Sequence, residues 1–378
     1  MERCIAAFSS RSTQIGQTYS FDDVYERISA SGEKPVLIIF ASDYDNFMLY
    51  SGLFGDRFPD TTVIGMSSFT SSSSEGGSSS GLAAVAVFSG IECACGVLND
   101  ASRCPLLHKK EAERAISALG INKKDAGKVC CLEFTPAFGK REELVLDAFR
   151  EASGDLDIPV FGSTAGVRRG TKRSLVSLNG KVYDDACVFV YIRNLCGRIA
   201  ILRENTYKHT DNFFMITNVD SERRIVHEFN GRPAGTYIAA LLGVDPDVLN
   251  RDIMLHPIGR IYGENIYITD GESVDKNGSV SCFSYLYNYS RAVLLEPDDA
   301  NVSSKRLMEK IDRLGFAPSF SVAINCAYDF DIFEDKGFTE DFIKRIGEDA
   351  GTFVGMSGCG EQADGLHLNK TMLFAAFE

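Results

Sequence analysis

Three short segments of this 378-residue sequence repeat one another, and this repetition limits the possible fold more than any other feature. The segments are TTVIGMSSFT (61–70), IPVFGSTAGV (158–167) and GTFVGMSGCG (351–360), here called the corner motifs. Each contains apolar residues, a glycine, one further residue and then a serine or threonine. Because their spacing is irregular, the chain is not a solenoid. The repetition instead indicates related α/β layers.

The surroundings of the corner motifs repeat as well. A continuous apolar run precedes each motif, at 35–42, 129–136 and 319–327, and such runs are typical of strands buried on both faces. Helical patterns accompany these runs, and a further strand follows each motif. The sequence therefore predicts an α-β-α-β-β unit in three copies. The predicted helices are 20–31, 45–59, 109–120, 140–153, 303–315 and 339–351, and the closing strands are 81–89, 186–192 and 371–378.

Residues 197–297 have a different pattern, with short alternating segments separated by Asp-Gly and Asn-Gly turns. Within them, 230–243 predicts a turn followed by a short helix. We therefore expect a mixed α/β (α+β) fold in two parts, with a β-rich insert between the second and third units. The predicted domains are 30–196 and 197–378, and the latter divides into a β-rich part (197–297) and an α/β part (298–378).

Composition excludes several classes of protein. A net charge of −13 disfavours binding to nucleic acids or anionic membranes. No apolar run approaches the roughly 20 residues that span a bilayer. The eleven cysteines and five histidines lack the spacing of metal ligands, and no secretory signal is evident. We expect a cytoplasmic protein with reduced thiols, no metal and no cofactor.

The motif at 158–166 also bears on catalysis, because a G-x-S-x-G elbow exposes a nucleophilic serine at a strand-to-helix turn. Here Thr164 occupies the centre, and the next residues predict a loop and two strands instead of a helix. A glycine at a strand end lets the backbone approach a ligand, and small hydroxyls supply donors and acceptors. Two interpretations stay open: the corners converge on a ligand cleft, or they are tight turns of a sheet. We expect no catalytic residue.

The candidate ligand-binding residues lie at or just after the corner motifs. Glu361 either binds an ammonium or hydroxyl group or is a solvated or capping carboxylate. Asn369 and Thr371 bind ligand or close a turn, and His367 is a pH-sensitive partner of Glu361 or an exposed loop residue. The Ser-rich segment 67–81 is a lid, a phosphorylation target or a mobile hairpin tip. The candidate set is Gly65, Ser67, Ser68, Gly162, Ser163, Thr164, Gly355, Ser357, Glu361, Asn369 and Thr371.

These residues together resemble the FIST sensory domain, a cytoplasmic ligand-sensing module of bacterial signalling proteins. PVFGSTAG (159–166) and SLNGKVYDDACVFVYI (177–192) resemble its N-terminal part. NGRPAGTYIAALLG (230–243), GMSGCGE (355–361) and NKT (369–371) resemble its C-terminal part. The resemblance covers roughly residues 30–378, and the order of the motifs is more specific than any one of them.

The sequence departs from the family at two places. MSGC (356–359) replaces the usual aromatic residues, and CAYD (326–329) stands where the family has Cys-x-Gly-Arg. The resemblance implies a sensor of small polar molecules, with amino acids or their derivatives as the expected ligands. It also implies a signalling partner such as a kinase, a cyclase or a chemoreceptor, reached by a conformational change. The alternatives are a hydrolase or transferase with Thr164, Ser357 or Cys359 as nucleophile, and a scaffold that binds no ligand.

Overall fold

The computed structural model describes residues 3–11, 14–137, 139–167, 173–263, 265–327, 346–347 and 351–378. The chain divides into two compact units. The first comprises Met1–Glu204, Ser304–Leu366 and Met372–Glu378, and the second comprises Asn205–Ser303 and His367–Thr371. The main segment of the second unit contains most of the predicted β-rich insert. The mixed α/β fold is confirmed.

The first unit consists of three copies of one arrangement, and copy 1 begins with a strand that the repeat pattern does not include. Its first helix buries Phe21, Val24 and Ile28 along one face, at amphipathic spacing. Its second helix starts after Asp43, whose side chain accepts a hydrogen bond from the amide of Asn46. The elements are β1 (Cys4–Ser9), α1 (Tyr19–Ser29), β2 (Leu37–Ser42), α2 (Tyr44–Arg57), β3 (Thr62–Ser67), β4 (Ser71–Ser73), β5 (Gly76–Ser78) and β6 (Leu82–Val87).

Copy 2 repeats this order. Its first helix ends at Gly120, which adopts the left-handed conformation of a helix-terminating glycine (φ 60°). Asn179 and Gly180 both have positive φ and form the tight turn of a hairpin, in which Leu178 pairs with Lys181. The elements are β7 (Ile91–Asn99), α3 (Lys109–Leu119), β8 (Val129–Thr135), α4 (Glu142–Ser153), β9 (Val160–Thr164), β10 (Val176–Leu178), β11 (Lys181–Tyr183) and β12 (Ala186–Asn194), with 3-10 turns at Pro105–His108 and Lys123–Asp125.

Copy 3 begins with β13 (Ile199–Glu204), and the chain then forms the second unit, which is mostly antiparallel sheet. A cluster of buried residues that includes Phe214, Phe229 and Ile238 forms its core. Its elements are β14 (Tyr207–Asp220), β15 (Ile225–Phe229), β16 (Arg232–Pro233), α5 (Ala234–Leu242), a 3-10 turn (Pro246–Val248), α6 (Leu249–Asp252), β17 (Ile258–Tyr262), β18 (Asn265–Thr269), β19 (Gly271–Val274), β20 (Val280–Cys282) and β21 (Arg291–Pro297).

The remaining elements complete copy 3. The predicted helix 303–315 corresponds to α7, whereas the predicted helix 339–351 lies almost wholly outside the described residues. The elements are α7 (Ala300–Asp312), β22 (Phe320–Cys326), β23 (Thr352–Gly358), β24 (Gly360–Ala363), β25 (Leu366–Leu368) and β26 (Met372–Phe377). The three predicted apolar runs form β2, β8 and β22, and every residue of these strands is buried.

The three sheets built from these copies share one topology, and each is completed by a hairpin from another copy. Their strand orders are β1-β6-β2-β3-β10-β11, β7-β12-β8-β9-β24-β25 and β13-β26-β22-β23-β4-β5. The central pairs β2/β3, β8/β9 and β22/β23 are parallel. The hairpin of copy 1 joins the sheet of copy 3, that of copy 2 joins copy 1, and that of copy 3 joins copy 2. The exchange is therefore cyclic.

This exchange explains why residues of the Ser-rich segment 67–81 form strands. Its residues form β4 and β5, and β4 pairs with β23 from Met356 to Val354. Ser71 and Ser73 are buried by this pairing. The segment therefore forms a hairpin, as one of its three interpretations expected, and β4 supplies one of the strands of a sheet. Among the described residues, no helix combines the length and apolarity needed to span a bilayer.

Candidate functional site

The three corner motifs meet at the carboxyl ends of β3, β9 and β23, where equivalent backbone groups hydrogen-bond in a cycle. In each bond, the amide four residues after a motif glycine donates to the carbonyl two residues after the glycine of another copy. The bonds run from Phe69 to Ser357 (3.1 Å), from Gly166 to Ser67 (2.7 Å) and from Cys359 to Thr164 (2.8 Å). We call this closed set of contacts the corner ring.

The hydroxyls of the corner ring follow the same cycle. Ser67, Thr164 and Ser357 occupy equivalent positions and are buried. Each of their hydroxyl oxygens accepts a hydrogen bond from the neighbouring copy: from the Leu175 amide (2.9 Å), the Gln362 side-chain amide (2.9 Å) and the Thr70 amide (3.1 Å), respectively. The predicted convergence of the corners is thus present, and these hydroxyls bind one copy to the next.

Other predicted residues of the first unit contribute to the same junction. The Ser68 hydroxyl donates to the Ser357 carbonyl (3.0 Å) and accepts from the Ser357 amide (2.8 Å). The Ser163 hydroxyl donates to the Gly360 carbonyl at 3.2 Å. Glu361 lies within β24 and is fully buried, which excludes a solvated carboxylate.

Asn369, Thr371 and His367 belong to the second unit, which includes residues 367–371. The Asn369 side-chain oxygen accepts from the Asp270 amide at 3.0 Å, and the Thr371 hydroxyl donates to the Asn369 carbonyl at 2.9 Å. His367 is 2% exposed, so the expectation of an exposed loop histidine is wrong. These two hydrogen bonds hold the segment from 369 to 371, and ligand binding by Asn369 and Thr371 stays a prediction.

The motif glycines make room for different neighbours in the three copies. Gly65, Gly162 and Gly355 pair in register with Phe40, Glu133 and Ala323 of the adjacent parallel strand. In copy 1 the Phe40 ring fills the space that a side chain on residue 65 would need. In copy 2 the backbone and carboxyl group of Glu133 fill the equivalent space, with the carboxyl carbon 2.9 Å from the ideal β-carbon position of residue 162. A carboxyl group thus replaces an aromatic ring at the same place in the fold.

Glu133 is fully buried, and its surroundings keep it protonated at neutral pH. The Thr135 hydroxyl donates to Oε2 at 2.7 Å, and the Cys187 thiol donates to the same oxygen at 3.3 Å. Among the described residues, Oε1 has no hydrogen-bond partner. Burial raises the pKa of Glu133 to about 8, the nearby carboxyl of Glu142 adds to this, and the two hydrogen bonds oppose it. An unsatisfied buried carboxyl of this kind is rare outside functional sites.

A small cavity lies at the carboxyl end of β8, where α/β proteins commonly bind ligands. Its volume is about 30 Å³, which accommodates roughly two water molecules. Thr135 lines it and also donates to Glu133, so this residue joins the two features. We call the cavity the β8 crevice; its lining is Ala101, Ser102, Thr135, Pro136, Ala137, Gly139, Arg141, Glu142, Asp184 and Asp185.

The β8 crevice exists because copy 2 has a longer connection between strand and helix than copy 1. In copy 1 only Asp43 separates β2 from α2, whereas residues 136–141 separate β8 from α4. Lys140 in this connection has a φ of 52°, a left-handed conformation that non-glycine residues seldom adopt. Such a conformation costs on the order of 1–2 kcal/mol. Strain of this kind gathers at sites that bind or switch.

Glu133 does not stand out in the sequence, because it lies in the apolar run VCCLEF, which predicts a buried strand. The available signal was the charged residue itself, since a glutamate is almost never fully buried without a special partner. Among the described residues, no group of three or more His, Cys, Asp or Glu side chains is arranged to hold a metal ion. Burial raises the pKa of Cys359 to about 12, which disfavours the thiolate that nucleophilic catalysis needs.

Comparison with known proteins identifies the family of this chain. No curated protein matches this chain. Residues 35–232, which are 198 of the 378 residues, match the family model of the FIST N domain. That family consists of sensory domains of signal transduction. The match includes copy 2 with its β8 crevice and two of the three corner motifs. The chain is therefore a member of the FIST family.

Proposed function

We propose that this protein senses a small polar metabolite at the β8 crevice and passes the signal to a partner protein without catalysing a reaction. The observation that carries the proposal is Glu133, a buried carboxyl at a position where copy 1 has Phe40, whose Oε1 has no hydrogen-bond partner among the described residues. Replacing an aromatic core residue by such a group lowers stability. A ligand that hydrogen-bonds with the Glu133 carboxyl would explain why a buried acid occupies this position.

The charges around the crevice favour a zwitterionic ligand, so amino acids and their derivatives are the first class to test. Asp184 and Asp185 supply negative charge for an ammonium group. Arg141 and the N-terminal end of α4 supply positive charge for a carboxylate. Thr135 lines the crevice and its hydroxyl donates to Glu133, so this residue links a ligand in the crevice to the buried acid.

The volume of the crevice implies a conformational change. About 30 Å³ is too small for an amino acid, so the lining of the crevice must rearrange before a ligand enters. The strained Lys140 lies in the connection 136–141. Ligand binding then favours the opened or rearranged form, and the partner, such as a kinase, a cyclase or a chemoreceptor, recognises that form. We place the protein in the bacterial cytoplasm with such a partner.

Thermal unfolding against a panel of amino acids, small peptides and common metabolites tests this proposal. A ligand at 100 times its dissociation constant adds about 2.7 kcal/mol of stability. We expect one chemical class to raise the midpoint, and we expect Glu133→Gln and Thr135→Val to remove that shift relative to each variant's own baseline. Glu26→Gln, on the exposed face of α1, is the control.

Two results would contradict the proposal. One is an absence of any shift across the panel with folded, ligand-free protein. The other is a shift that both crevice variants retain. Direct ligand contact by the corner residues stays a prediction, and Thr164→Val and Glu361→Ala test it in the same assay. Turnover of a panel compound, lost on substitution of one hydroxyl or thiol, would favour an enzyme instead.

A further inference from the structure

The sheet of copy 2 ends in β7, and among the described residues no strand pairs with the outer side of this strand. The hydrogen bond from the Leu195 amide to the Gly90 carbonyl (2.9 Å) fixes which backbone groups point outward. Together with the register of β7 and β12, it directs the even-numbered residues of β7 toward β12. The odd-numbered residues therefore direct their amides and carbonyls outward; they are Ile91, Cys93, Cys95, Val97 and Asn99.

These outward backbone groups, here called the β7 edge, have no hydrogen-bond partner among the described residues. Residues 92–97 are all partly exposed, so water reaches this side of the sheet. The side-chain amide of Asn179 approaches the Cys95 sulfur at 3.8 Å, a contact with the thiol that leaves the Cys95 backbone groups unused. The β7 edge is thus a row of donors and acceptors of the kind that another strand can pair with.

The other outer strands of the first unit are less suited to such pairing. Strands β5, β11 and β25 have three residues each, which is too short to template another strand. In β13, an outward group at each end already hydrogen-bonds within the chain, to Gly127 and to Lys310. In β1, the outward residues Cys4 and Ala6 are buried. The β7 edge therefore stands out by its length, its exposure and its unused backbone groups.

Strand β7 also lacks the features that keep edge strands of monomeric proteins apart, which are lysines, prolines and bulges. Its sequence IECACGVLN contains neither lysine nor proline, and its nine pairs with β12 run without a register shift. Its one charged residue, Glu92, accepts a hydrogen bond from Nε of Arg193 at 2.9 Å. Although the chain carries a net charge of −13, the charge on this edge is neutralised, which reduces the repulsion between two copies that meet there.

We propose that two copies of this protein pair antiparallel through their β7 edges. In the register centred on Cys95, each outward residue lies opposite an outward residue of the second copy, so the two strands exchange about ten hydrogen bonds. Glu92 lies opposite Leu98 of the second copy, and like charges do not face each other. The facing outward pairs are Cys95 with Cys95, Cys93 with Val97 and Ile91 with Asn99.

The symmetry and size of this contact predict a closed and reversible dimer. Because the same strand supplies both halves, the contact is self-complementary and ends at two copies. A single strand pair covers less surface than the interface of a permanent dimer, so we expect a dissociation constant in the micromolar range. The inference does not depend on the function proposed for the β8 crevice.

Sedimentation equilibrium of the purified chain over a wide range of protein concentrations tests the proposal. We expect a monomer–dimer equilibrium. Val97→Pro should raise its dissociation constant at least tenfold, because proline removes an outward amide and leaves the bonds to β12 intact. The matched control is Ile201→Pro, which removes an outward amide from β13, and it should leave the constant within twofold. Circular dichroism establishes that each variant is folded.

Hydrogen exchange of the unmodified protein locates the contact without any substitution. At high protein concentration, a peptide that spans β7 should gain protection at its outward amides, and a peptide that spans β13 should not change. A monomer at every concentration would overturn the proposal. A dimer that folded Val97→Pro retains, that Ile201→Pro loses equally, or whose β7 amides exchange as fast as those of the monomer would overturn it as well.

Discussion

The carboxyl carbon of Glu133 lies 2.9 Å from the position that a β-carbon on Gly162 would occupy, and the Glu133 carbonyl is closer still. The two residues pair in register on β8 and β9. Glycine at 162 is therefore required by the neighbouring strand, because any side chain would displace both the backbone and the carboxyl group of residue 133. Gly162 thus makes space for Glu133, which belongs to the protein itself.

Gly162→Ala should consequently be strongly destabilising, by about 3 kcal/mol or more, because overpacking against backbone atoms cannot be relieved by a rotamer change. Denaturant unfolding measures the effect. Gly52→Ala is the control, since a β-carbon there meets no atom within 4 Å and residue 52 lies inside α2. That change should stabilise by about 0.5–1 kcal/mol. Equal effects of the two substitutions would contradict the packing described here.

Glu133 should make stability depend on pH. Native Glu133 keeps its proton up to about pH 8, whereas the ordinary pKa is 4.5, so the native state binds more protons between these values. The free energy of unfolding therefore falls as the pH rises from about 5 to 8, by at most about 1.4 kcal/mol per pH unit. Glu133→Gln should flatten this slope in denaturant unfolding at pH 5.5, 6.5 and 7.5.

Thr135 and Cys187 donate hydrogen bonds to Glu133, and Glu142 adds a like charge. Substituting any of these three residues should therefore shift the pH range over which the free energy of unfolding falls. Glu26→Gln on exposed α1 should keep the slope of the wild type. If the free energy of unfolding of Glu133→Gln changes with pH as that of the wild type does, then Glu133 is not the buried acid that the structure indicates.

Thr164→Val should destabilise the protein whether or not a ligand is present. The substitution keeps the shape of the side chain but leaves the Gln362 amide without the acceptor it has at 2.9 Å. A buried donor that loses its acceptor costs about 1–3 kcal/mol. Thr236→Val on the exposed side of α5 should change stability by less than about 0.5 kcal/mol. Unchanged stability with lost ligand binding would instead identify Thr164 as a direct ligand contact.

Lys370→Met should destabilise the second unit. The Lys370 ammonium is fully buried, lies 3.4 Å from Asp270 and 3.0 Å from the Tyr207 hydroxyl, and also donates to the Met254 carbonyl. Removing one partner of a buried ion pair costs about 3–5 kcal/mol. Scanning calorimetry should show this loss, and adding Asp270→Asn should recover part of it. Lys276→Met, at an exposed turn, should have little effect, and a similar loss there would refute the assignment.

The sequence predicted those elements whose stability comes from their own pattern. The runs that became β2, β8 and β22 are continuously apolar because both faces are buried, so they were evident. The helix α2 was less evident because Gly52 and Gly55 weaken its pattern. It forms because Asp43 caps it and because Phe47 and Phe54 pack in the core.

The sequence could not predict features that depend on distant pairing. Ser71 and Ser73 have no strand pattern, and they form β4 because β23 offers a partner more than 280 residues later. For the same reason, the corner hydroxyls could be expected to converge, but the groups of the neighbouring copies that donate to them could not be foreseen. The crevice was missed because its defining residue, Glu133, lies inside an apolar strand.

The cyclic exchange of hairpins has a consequence for how such a protein arises. A separate polypeptide with the sequence of one copy would lack a hairpin for its own sheet and would offer one to another molecule. Three such polypeptides would assemble into a closed trimer, at a concentration set by mass action. Joining the copies in one chain makes this association intramolecular, so the effective concentration of one copy around another is fixed by the chain. The present chain thus has the connectivity of a covalently linked trimer, with residues 205–303 inserted into its third copy.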